Sequence, residues 1–307
     1  MIQRSLDRSV TRVLEKASKA WQAGIDAIPS RRIRLRLLML PGASFPGMQW
    51  IRSRYRLPDR IIRHTLRDNS VLFLDLNHPA QRGIYLETFE TFERSLLTRL
   101  VAPGATAFDI GAHIGFHTIA LARKVGTMGM VHAFEPLPAN SEALKRNLAE
   151  NGLSNVVVNE VAVGDQEGPA TFYVPTYFKT SMVGSLLSTA HEGATDPITI
   201  KVISIDEYCE SHGINRIDLV KIDVEGAEYL VFSGMIRTIE RLTPIIVCEV
   251  SRERLASSGI SQDSIHRLFS QLDYRGYLIG EGLLLEKDDR RSGNWLFVPP
   301  NRSIGLE

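Results

Sequence analysis

The chain has 307 residues, of which 44% are hydrophobic and 23% are charged, a composition typical of a globular protein with a sizeable core. Its net charge of +1 gives no general argument for nucleic-acid binding, and its two cysteines are too few for a disulfide framework and suit a reducing compartment. No apolar run approaches the roughly 20 residues of a membrane span, and the N-terminus lacks the apolar region of a signal peptide. We therefore expect a cytoplasmic protein that does not bind nucleic acid.

The first 75 residues are strongly basic. They hold 15 Lys and Arg against 6 Asp and Glu, a net charge of +9. Because the whole chain has a net charge of +1, the other 232 residues together carry −8. An apolar stripe from Ile2 to Trp21, flanked by arginines, predicts a basic amphipathic helix, and RRIRLRLLML at 31–40 is similar in character. Residues 1–40 can lie peripherally on an anionic membrane, bind a partner or pack as a cap, and these alternatives stay open. We divide the chain into a basic N-terminal extension or cap, 1–80, and a catalytic domain, 81–307.

Strands and helices alternate from about residue 80. The pattern predicts helices over 85–100, 115–125, 137–150, 226–241 and 261–272, and strands over 106–110, 130–135, 156–161, 218–223, 244–249, 276–280 and 295–298. Such alternation favours right-handed βαβ units, and therefore an α/β fold with a mostly parallel, seven-stranded sheet and helices on both faces. Ligands of such sheets bind beyond the carboxyl ends of the strands.

The stretch FDIGAHIGFH at 108–117 is a candidate nucleoside site. Its strand ends near Asp109, Gly111 and Gly115 bracket the turn, and Glu135 ends the next strand, where an acid can accept hydrogen bonds from ribose hydroxyls. The spacing is G-x-x-x-G rather than G-x-G-x-x-G, so the glycine that admits a pyrophosphate is missing, and the acid would repel one. A nucleoside without phosphates, such as S-adenosyl-L-methionine, fits better than the dinucleotide of an oxidoreductase.

Four segments together resemble the FkbM-type methyltransferase family, a Rossmann-like class I branch of the S-adenosylmethionine enzymes: FDIGAHIGFHT, AFEPLPANSEALKRN, DLVKIDVEGAEYLVFSGM and IIVCEV. KIDVEGAE is the most diagnostic of their motifs, and the resemblance covers roughly 85–300. The resemblance implies S-adenosyl-L-methionine as cofactor. It implies a donor site built from Asp109, Gly111, Ala112, His113, Gly115, Glu135, Pro136, Asn140 and Asp165, the last near the adenine.

The resemblance further implies transfer to oxygen, often on a sugar, a glycan or a secondary metabolite. N-methylation, another small-molecule methyl transfer and a non-catalytic nucleotide-binding protein remain as alternatives. The family usually has Asn where this chain has His113, so an imidazole would have to replace an amide as hydrogen-bond donor.

Three side chains are candidates for the chemical step. If the acceptor is an alcohol, a base must take its proton, and Asp223 and Glu249 end neighbouring strands while His117 lies one turn into the first helix. Each has a structural alternative, because Asp223 can cap the next helix and His117 can be an ordinary partly buried histidine. Glu225 and Glu228 can likewise suit a helix start. Asp223 and Glu249 can also hold a divalent metal ion, since hard cations prefer carboxylates.

A long insertion over 168–205 is the predicted lid or acceptor wall. It contains FYVPTYFKTSMVGSLLS, in which Tyr173, Tyr177 and Phe178 can stack on a sugar ring or fill a hairpin. Ser181 and Ser185 resemble a polar patch that the family often has there. We expect this segment to select the small-molecule or glycan acceptor.

Overall fold

The computed structural model describes residues 61–175, 195–257, 259–280, 284–286, 292–302 and 304. The predicted amphipathic helix and the membrane contact through 1–40 lie outside the described residues. So do Tyr177, Phe178, Ser181 and Ser185, and the side chain of Tyr173. No helix within the described ranges combines the length and the apolar character needed to cross a membrane.

The described residues form the following elements. The strands are β1 (Ile61–Thr65), β2 (Val71–Asp75), β3 (Thr106–Ile110), β4 (Met130–Phe134), β5 (Val156–Asn159), β6 (Ala162–Val163), β7 (Gly168–Pro175), β8 (Thr195–Ile203), β9 (Leu219–Ile222), β10 (Ile245–Val250), β11 (Arg275–Ile279), β12 (Leu284–Glu286) and β13 (Gly293–Val298). The helices are α1 (Pro79–Leu86), α2 (Thr91–Leu100), α3 (Phe116–Val125), α4 (Pro138–Glu150), α5 (Ile205–Ser211), α6 (Glu228–Ser233), α7 (Ile236–Leu242), α8 (Arg252–Ser257) and α9 (Gln262–Gln271).

The main sheet has eight strands in the order β12-β11-β13-β10-β9-β3-β4-β5. Strands β10, β9, β3, β4 and β5 run parallel, whereas β13 joins β10 antiparallel and β11 and β12 extend that edge antiparallel. The α/β fold with a mostly parallel sheet is confirmed. The eighth strand is the three-residue β12, too short to give a periodic signal in the sequence.

Helices cover both faces of this sheet, as predicted. Successive strand residues point to opposite faces, so Phe108 and Ile110 of β3 enter one core cluster, which also holds Phe232 of α6. Ala107 enters the other cluster, which holds Leu121 of α3. Each face of β3 is therefore buried by its own layer of helices.

The order of the strands reverses on either side of β3. Along the chain β3 is followed by β4, which pairs with one of its edges, while β9 pairs with the other. A ligand of an open α/β sheet binds in the crevice beyond the carboxyl ends of the strands at such a switch point. The topology therefore predicts a ligand site among the residues that follow β3, β4, β9 and β10.

Two predicted helices are each divided in the structure. The predicted helix over 85–100 is interrupted by Glu87 and Glu90, which have φ values of 57° and 42°. The predicted helix over 226–241 is split into α6 and α7 at Gly234, where a Cβ would lie 1.9 Å from the carbonyl oxygen of Gly164. Apolar spacing continues through both interruptions, which is why it did not reveal them.

The chain separates into two compact units, one of residues 1–62 with 74–89 and one of 63–73 with 90–307. The main sheet and all the candidate site residues belong to the second. The predicted division into 1–80 and 81–307 remains a prediction. Within the second unit the described ends of the insertion form β7 and β8, an antiparallel pair that joins β6 in a separate three-stranded sheet.

Candidate active site

The turn after β3 requires glycine at Gly111. This residue has φ +86°, and a Cβ there would lie 1.9 Å from the carbonyl oxygen of Asp223. Its N–H and that of Ala112 both donate to the carbonyl oxygen of Phe134, at 2.9 and 3.0 Å. Gly115, with φ +90°, ends the turn at the start of α3. The turn is thereby held against the ends of both neighbouring strands, β4 and β9.

His113 occupies the middle of this turn in a left-handed conformation, with φ 50°. Histidine shares with asparagine an enrichment in this region of backbone space, so the departure from the family's usual Asn is sterically tolerated. Its backbone N–H donates to Oε2 of Glu135 at 2.9 Å. The backbone of this position, rather than its side chain alone, ties the turn to the end of β4.

Glu135 is buried and accepts three hydrogen bonds. Besides the bond from His113, its Oε1 accepts from the N–H of Leu137 at 3.0 Å and from Nδ2 of Asn140 at 3.2 Å. Pro136 lies between Glu135 and Leu137, at the entry to α4. Burial raises the pKa of Glu135 to about 7 although the hydrogen bonds act in the opposite direction. A carboxylate has about four acceptor positions, so one remains for a ligand hydroxyl.

Asp109 is fully buried beside the same turn. Its Oδ2 accepts from Oγ1 of Thr118 at 2.6 Å, and its Oδ1 lies 3.9 Å from Nζ of Lys221. That Oδ1 has no hydrogen-bond partner among the residues that the structure describes. Buried polar atoms are nearly always paired, and an acceptor left open beside a glycine turn fits a ligand that carries an ammonium group.

Asp223 follows β9 directly. Nζ of Lys221 lies 3.1 Å from its Oδ2, and Lys221 is itself buried. Burial alone would raise the pKa of Asp223, but the Lys221 ammonium outweighs it and lowers that pKa. The N-cap residue of α6 is Ala227, and no side chain caps this helix, so the structure does not show the capping alternative for Asp223.

Glu249, near the end of β10, lies beside Asp223. Burial and then the charge of Asp223 raise the pKa of Glu249 to about 7. Nη1 of Arg254 lies 2.8 Å from Oε2 of Glu249 and 2.8 Å from Oε2 of Glu225. Burial and Asp223 raise the pKa of Glu225 to about 8. The strand-end acids therefore form one electrostatically coupled group.

Glu228 contacts the backbone at the start of a helix, which is the structural alternative given for it above. Its Oε1 accepts from the N–H of Gly226 at 2.8 Å, at the start of α6, and the side chain is buried. Burial raises its pKa to about 7. We call Asp223, Glu225, Glu228 and Glu249 the acid edge. Among the described residues, no three His, Cys, Asp or Glu side chains are arranged to hold a metal ion.

His117 is buried at the first turn of α3. Its Nε2 lies 2.7 Å from Oε2 of Glu90, and its charge lowers the pKa of Asp223. No sequence pattern indicates this partner, because Glu90 is 27 positions away in a turn without any motif. Lys221 and Arg254 are two further site residues that the sequence analysis missed. Lys221 is two positions from Asp223, and Arg254 is five positions from Glu249. Each ion pair is therefore close enough in the sequence to have been expected.

Asp165 stands apart from these groups. It is exposed in the turn after β6, next to Gly164, whose carbonyl oxygen packs on Gly234. No hydrogen bond or ion pair in the described parts of the chain links Asp165 to the turn or to the acid edge. Its predicted place near the adenine remains a prediction.

Comparison with known proteins identifies the family. Residues 109–279, which are 171 of the 307, match the model of the methyltransferase FkbM domain. The chain belongs to this family. The FkbM match begins at Asp109 and includes all the candidate residues named above except Glu90.

Several characterised proteins are similar to this FkbM-family chain. A hexuronic acid methyltransferase, AglP, from Haloferax volcanii is 29% identical over 141 residues, which are 46% of this chain and 54% of that protein. The 2-O-methyltransferase NoeI of Sinorhizobium fredii is 24% identical over 173 residues, 53% of this chain and 70% of that one. A crystal structure of methyltransferase FkbM from Methylobacillus flagellatus KT aligns with a TM-score of 0.41 at 19% identity and covers 71% of this chain and 54% of that one. This chain thus spans about half the length of the Haloferax relative.

The methyl donor of the FkbM family is S-adenosyl-L-methionine, and the turn after β3 has the features this ligand needs. Asp109, beside this turn, has an open acceptor for an ammonium group. Glu135 retains acceptor capacity for a ribose hydroxyl. When bound, the cofactor supplies a methyl group on a positively charged sulfur.

Proposed function

We propose that this protein transfers a methyl group from S-adenosyl-L-methionine to a hydroxyl oxygen of a small-molecule or glycan acceptor. We call the turn over 111–115 the donor turn, and its contact with the acid edge carries the proposal. Gly111 packs so closely on the carbonyl oxygen of Asp223 that no side chain fits between them. A donor in the turn and an acceptor held by Asp223 would therefore be neighbours. Alignment of two reactants in this way can supply about 7–11 kcal/mol of the barrier reduction.

The acid edge suits an alcohol acceptor. Asp223, kept ionised by Lys221, can accept a hydrogen bond from the acceptor hydroxyl and orient the oxygen toward the donor. A lowered pKa makes Asp223 a weak proton acceptor, so orientation is its better role. Glu249, which is ion-paired with Arg254, adds a second carboxyl group beside Asp223 that can contact the acceptor.

The name of one relative supports a sugar acceptor, and the name of another supports transfer to oxygen. The Haloferax relative is named for a hexuronic acid and the Sinorhizobium relative for a 2-O position. A sugar offers several hydroxyls, which matches a site bordered by hydrogen-bond acceptors on the acid edge. The insertion over 168–205 is the segment that we expect to distinguish one sugar or metabolite from another.

The proposal is tested in two steps. Calorimetric titration with S-adenosylmethionine and, separately, with NAD establishes which ligand the turn binds, and we expect binding of the first alone. Transfer of a labelled methyl group into fractionated cell extract, followed by identification of the labelled product and its methylated atom, establishes the reaction. Binding without transfer into any fraction would favour the non-catalytic alternative, and label on nitrogen would replace O-methylation by N-methylation.

A further inference from the structure

Glu90 lies outside the region that matches the FkbM family, yet its side chain reaches a candidate site residue. Its Oε2 is 2.7 Å from Nε2 of His117. Its backbone is left-handed, with φ 42°, at the position immediately before α2. Non-glycine residues adopt this conformation at an energetic cost, and such strain concentrates at functional sites.

The other ring nitrogen of His117 is open. Nδ1 is buried and lacks a hydrogen-bond partner within the described residues, and the side chain is only 6% exposed. An ionised carboxylate can only accept hydrogen bonds, so Glu90 requires the ring proton on Nε2. The hydrogen bond at one nitrogen sets the state of the other, which leaves a lone pair on Nδ1 of neutral His117. A buried acceptor of this kind is explained by a partner that arrives with a ligand.

The pair lies within electrostatic range of the acid edge. The protonated form of His117 lowers the pKa of Asp223, and the charge of Glu90 helps to raise the pKa of Lys221 against its burial. His117 is also two residues beyond Gly115, at the end of the donor turn. The imidazole thus follows the donor turn directly and lies within electrostatic range of the carboxylate that we expect to orient the acceptor.

Helix α2 fixes the first turn of α3 at a second point. Arg94, one turn beyond Glu90, places its guanidinium carbon 4.4 Å from the ring centre of Phe116. Arg94 is held in turn by Asp68, with Nη2 2.7 Å from Oδ2. Consecutive residues of α3, Phe116 and His117, are therefore each contacted by a charged side chain of the α2 region, which restricts the rotation of the imidazole.

We propose that Glu90 is a positioning residue that acts through His117, and that Nδ1 of His117 takes the proton of the acceptor hydroxyl. This inference rests on the proposed function. As the acceptor oxygen bonds to the methyl carbon, the methyl–sulfur bond breaks and its electron pair stays on sulfur. The acceptor O–H bond breaks, and the proton bonds to Nδ1. The resulting imidazolium is stabilised by its contact with Glu90 and, at longer range, by the negative charge of Asp223.

The first test is independent of turnover. Nitrogen-15 spectra of the histidine rings, with His117 assigned by its loss in His117→Asn, should show the proton on Nε2 and a bare Nδ1. Glu90→Gln retains an oxygen that can accept from Nε2–H and should preserve this tautomer, whereas Glu90→Ala should lose it. A proton found on Nδ1 of the neutral wild-type ring overturns the inference whatever the activity.

The second test measures transfer of labelled methyl from S-adenosylmethionine into the acceptor fraction of cell extract. General-base removal costs about 10²–10⁴ in rate, which we expect for His117→Asn, and Glu90→Ala should lower kcat on the order of tenfold or more. Affinity for S-adenosylmethionine should be unchanged in both. Glu90→Gln should recover much of the rate, and Glu93→Ala, in the same helical turn, should behave as wild type.

Normal kcat in folded Glu90→Ala refutes the positioning role, and normal kcat in His117→Asn refutes the base. Absence of transfer by the wild-type protein refutes the proposed function instead. The ring spectra distinguish these failures, because they report the Glu90–His117 pair without any acceptor.

Discussion

The ammonium nitrogen of Lys221 lies 3.1 Å from Oδ2 of Asp223 and 3.9 Å from Oδ1 of Asp109. Burial works against a charged lysine, but these two carboxylates outweigh it and raise the pKa of Lys221. One buried cation thus joins an acid of the donor turn to an acid of the acceptor side. Lys221 keeps Asp223 ionised, so the role that we propose for Asp223 depends on its charge and its position rather than on proton uptake.

Asp223→Asn keeps the shape of the side chain and removes this charge. We expect kcat to fall at least tenfold, because the acceptor hydroxyl loses an ionised hydrogen-bond acceptor, and charged hydrogen bonds contribute about 1.5–3 kcal/mol. Donor affinity should change little, whereas the melting temperature should fall because the buried Lys221 ammonium loses its nearer carboxylate. The measurements are labelled-methyl transfer, calorimetry with S-adenosylmethionine and thermal unfolding. Asp273→Asn, in an exposed left-handed turn before β11, is the matched control. A near-normal kcat would remove Asp223 from the chemical step.

Glu135→Ala tests the donor site. The substitution removes a ribose contact and also the three hydrogen bonds that tie Glu135 to His113, Leu137 and Asn140. We expect affinity for S-adenosylmethionine to fall at least tenfold, since each charged hydrogen bond lost costs about 1.5–3 kcal/mol. Glu142→Ala, exposed on α4, should leave the affinity unchanged. Calorimetry that gives equal affinities for folded Glu135→Ala and wild type would end this assignment.

Much of the donor side could be predicted from the sequence because its signals are local. A short strand, an acid, two glycines and a helix occupy consecutive positions, and each imposes its own backbone requirement. Gly111 illustrates this: its need for positive φ is readable from the pattern, while the carbonyl oxygen of Asp223 that excludes a Cβ lies 112 positions later.

The acceptor side was less predictable because its contacts link distant segments. Apolar periodicity predicts which face of a helix or strand a residue occupies, but not which charged side chain it will contact. Glu90 shows the limit: its turn has no recognisable motif, and the prediction of a continuous helix over 85–100 placed it mid-helix. Only the packing of α2 on α3 brings it to His117. Likewise, the break at Gly234 follows from its contact with Gly164, which no local pattern encodes.

Gly234→Ala tests that contact. The backbone of Gly234 has φ −81°, which alanine adopts freely, but its Cβ would lie 1.9 Å from the carbonyl oxygen of Gly164. Overpacking of this kind costs about 1–3 kcal/mol, so urea unfolding should show a clear loss of stability. The displaced segment includes Asp165, and a parallel loss of donor affinity would support its place near the adenine. In Gly104→Ala the added Cβ meets open space, so only the strain of φ +79° should appear there.

The basic N-terminal segment gives a prediction from its sequence alone. Residues 1–40 should attach reversibly to anionic membranes, because each basic residue near such a surface contributes roughly 1 kcal/mol and salt screens the attraction. Sedimentation with phosphatidylserine-containing vesicles should show binding at low salt that is lost at high salt. Neutral vesicles are the control. Equal binding after deletion of 1–40 would contradict the assignment.

The raised pKa values of the buried carboxyls predict how stability depends on pH. The pKa lies at about 8 for Glu225 and at about 7 for Glu135, Glu228 and Glu249, all above the value of 4.5 that these groups have when exposed. Between 4.5 and these values the folded state binds more protons than the unfolded state. Stability from these groups is therefore fully present below about pH 4.5 and is lost as pH rises toward 8.

Two buried histidines make stability increase with pH, over a lower pH range than the carboxyl groups. Burial lowers the pKa of His78 and of His132 to about 4, so the unfolded chain binds the extra protons between that pH and about 6.5. The histidines have made their full contribution to stability above pH 6.5, so the raised carboxyl pKa values govern the change in stability from there to pH 8. The melting temperature should consequently fall from pH 6.5 to pH 8. Glu225→Gln should reduce that fall by an amount on the order of 1 kcal/mol, or roughly 2–4 °C, because Glu225 titrates last. Glu210→Gln, exposed on α5, should leave the slope as it is. A melting temperature that rises between pH 6.5 and 8 would mean that the acid edge is not protonated in the folded protein.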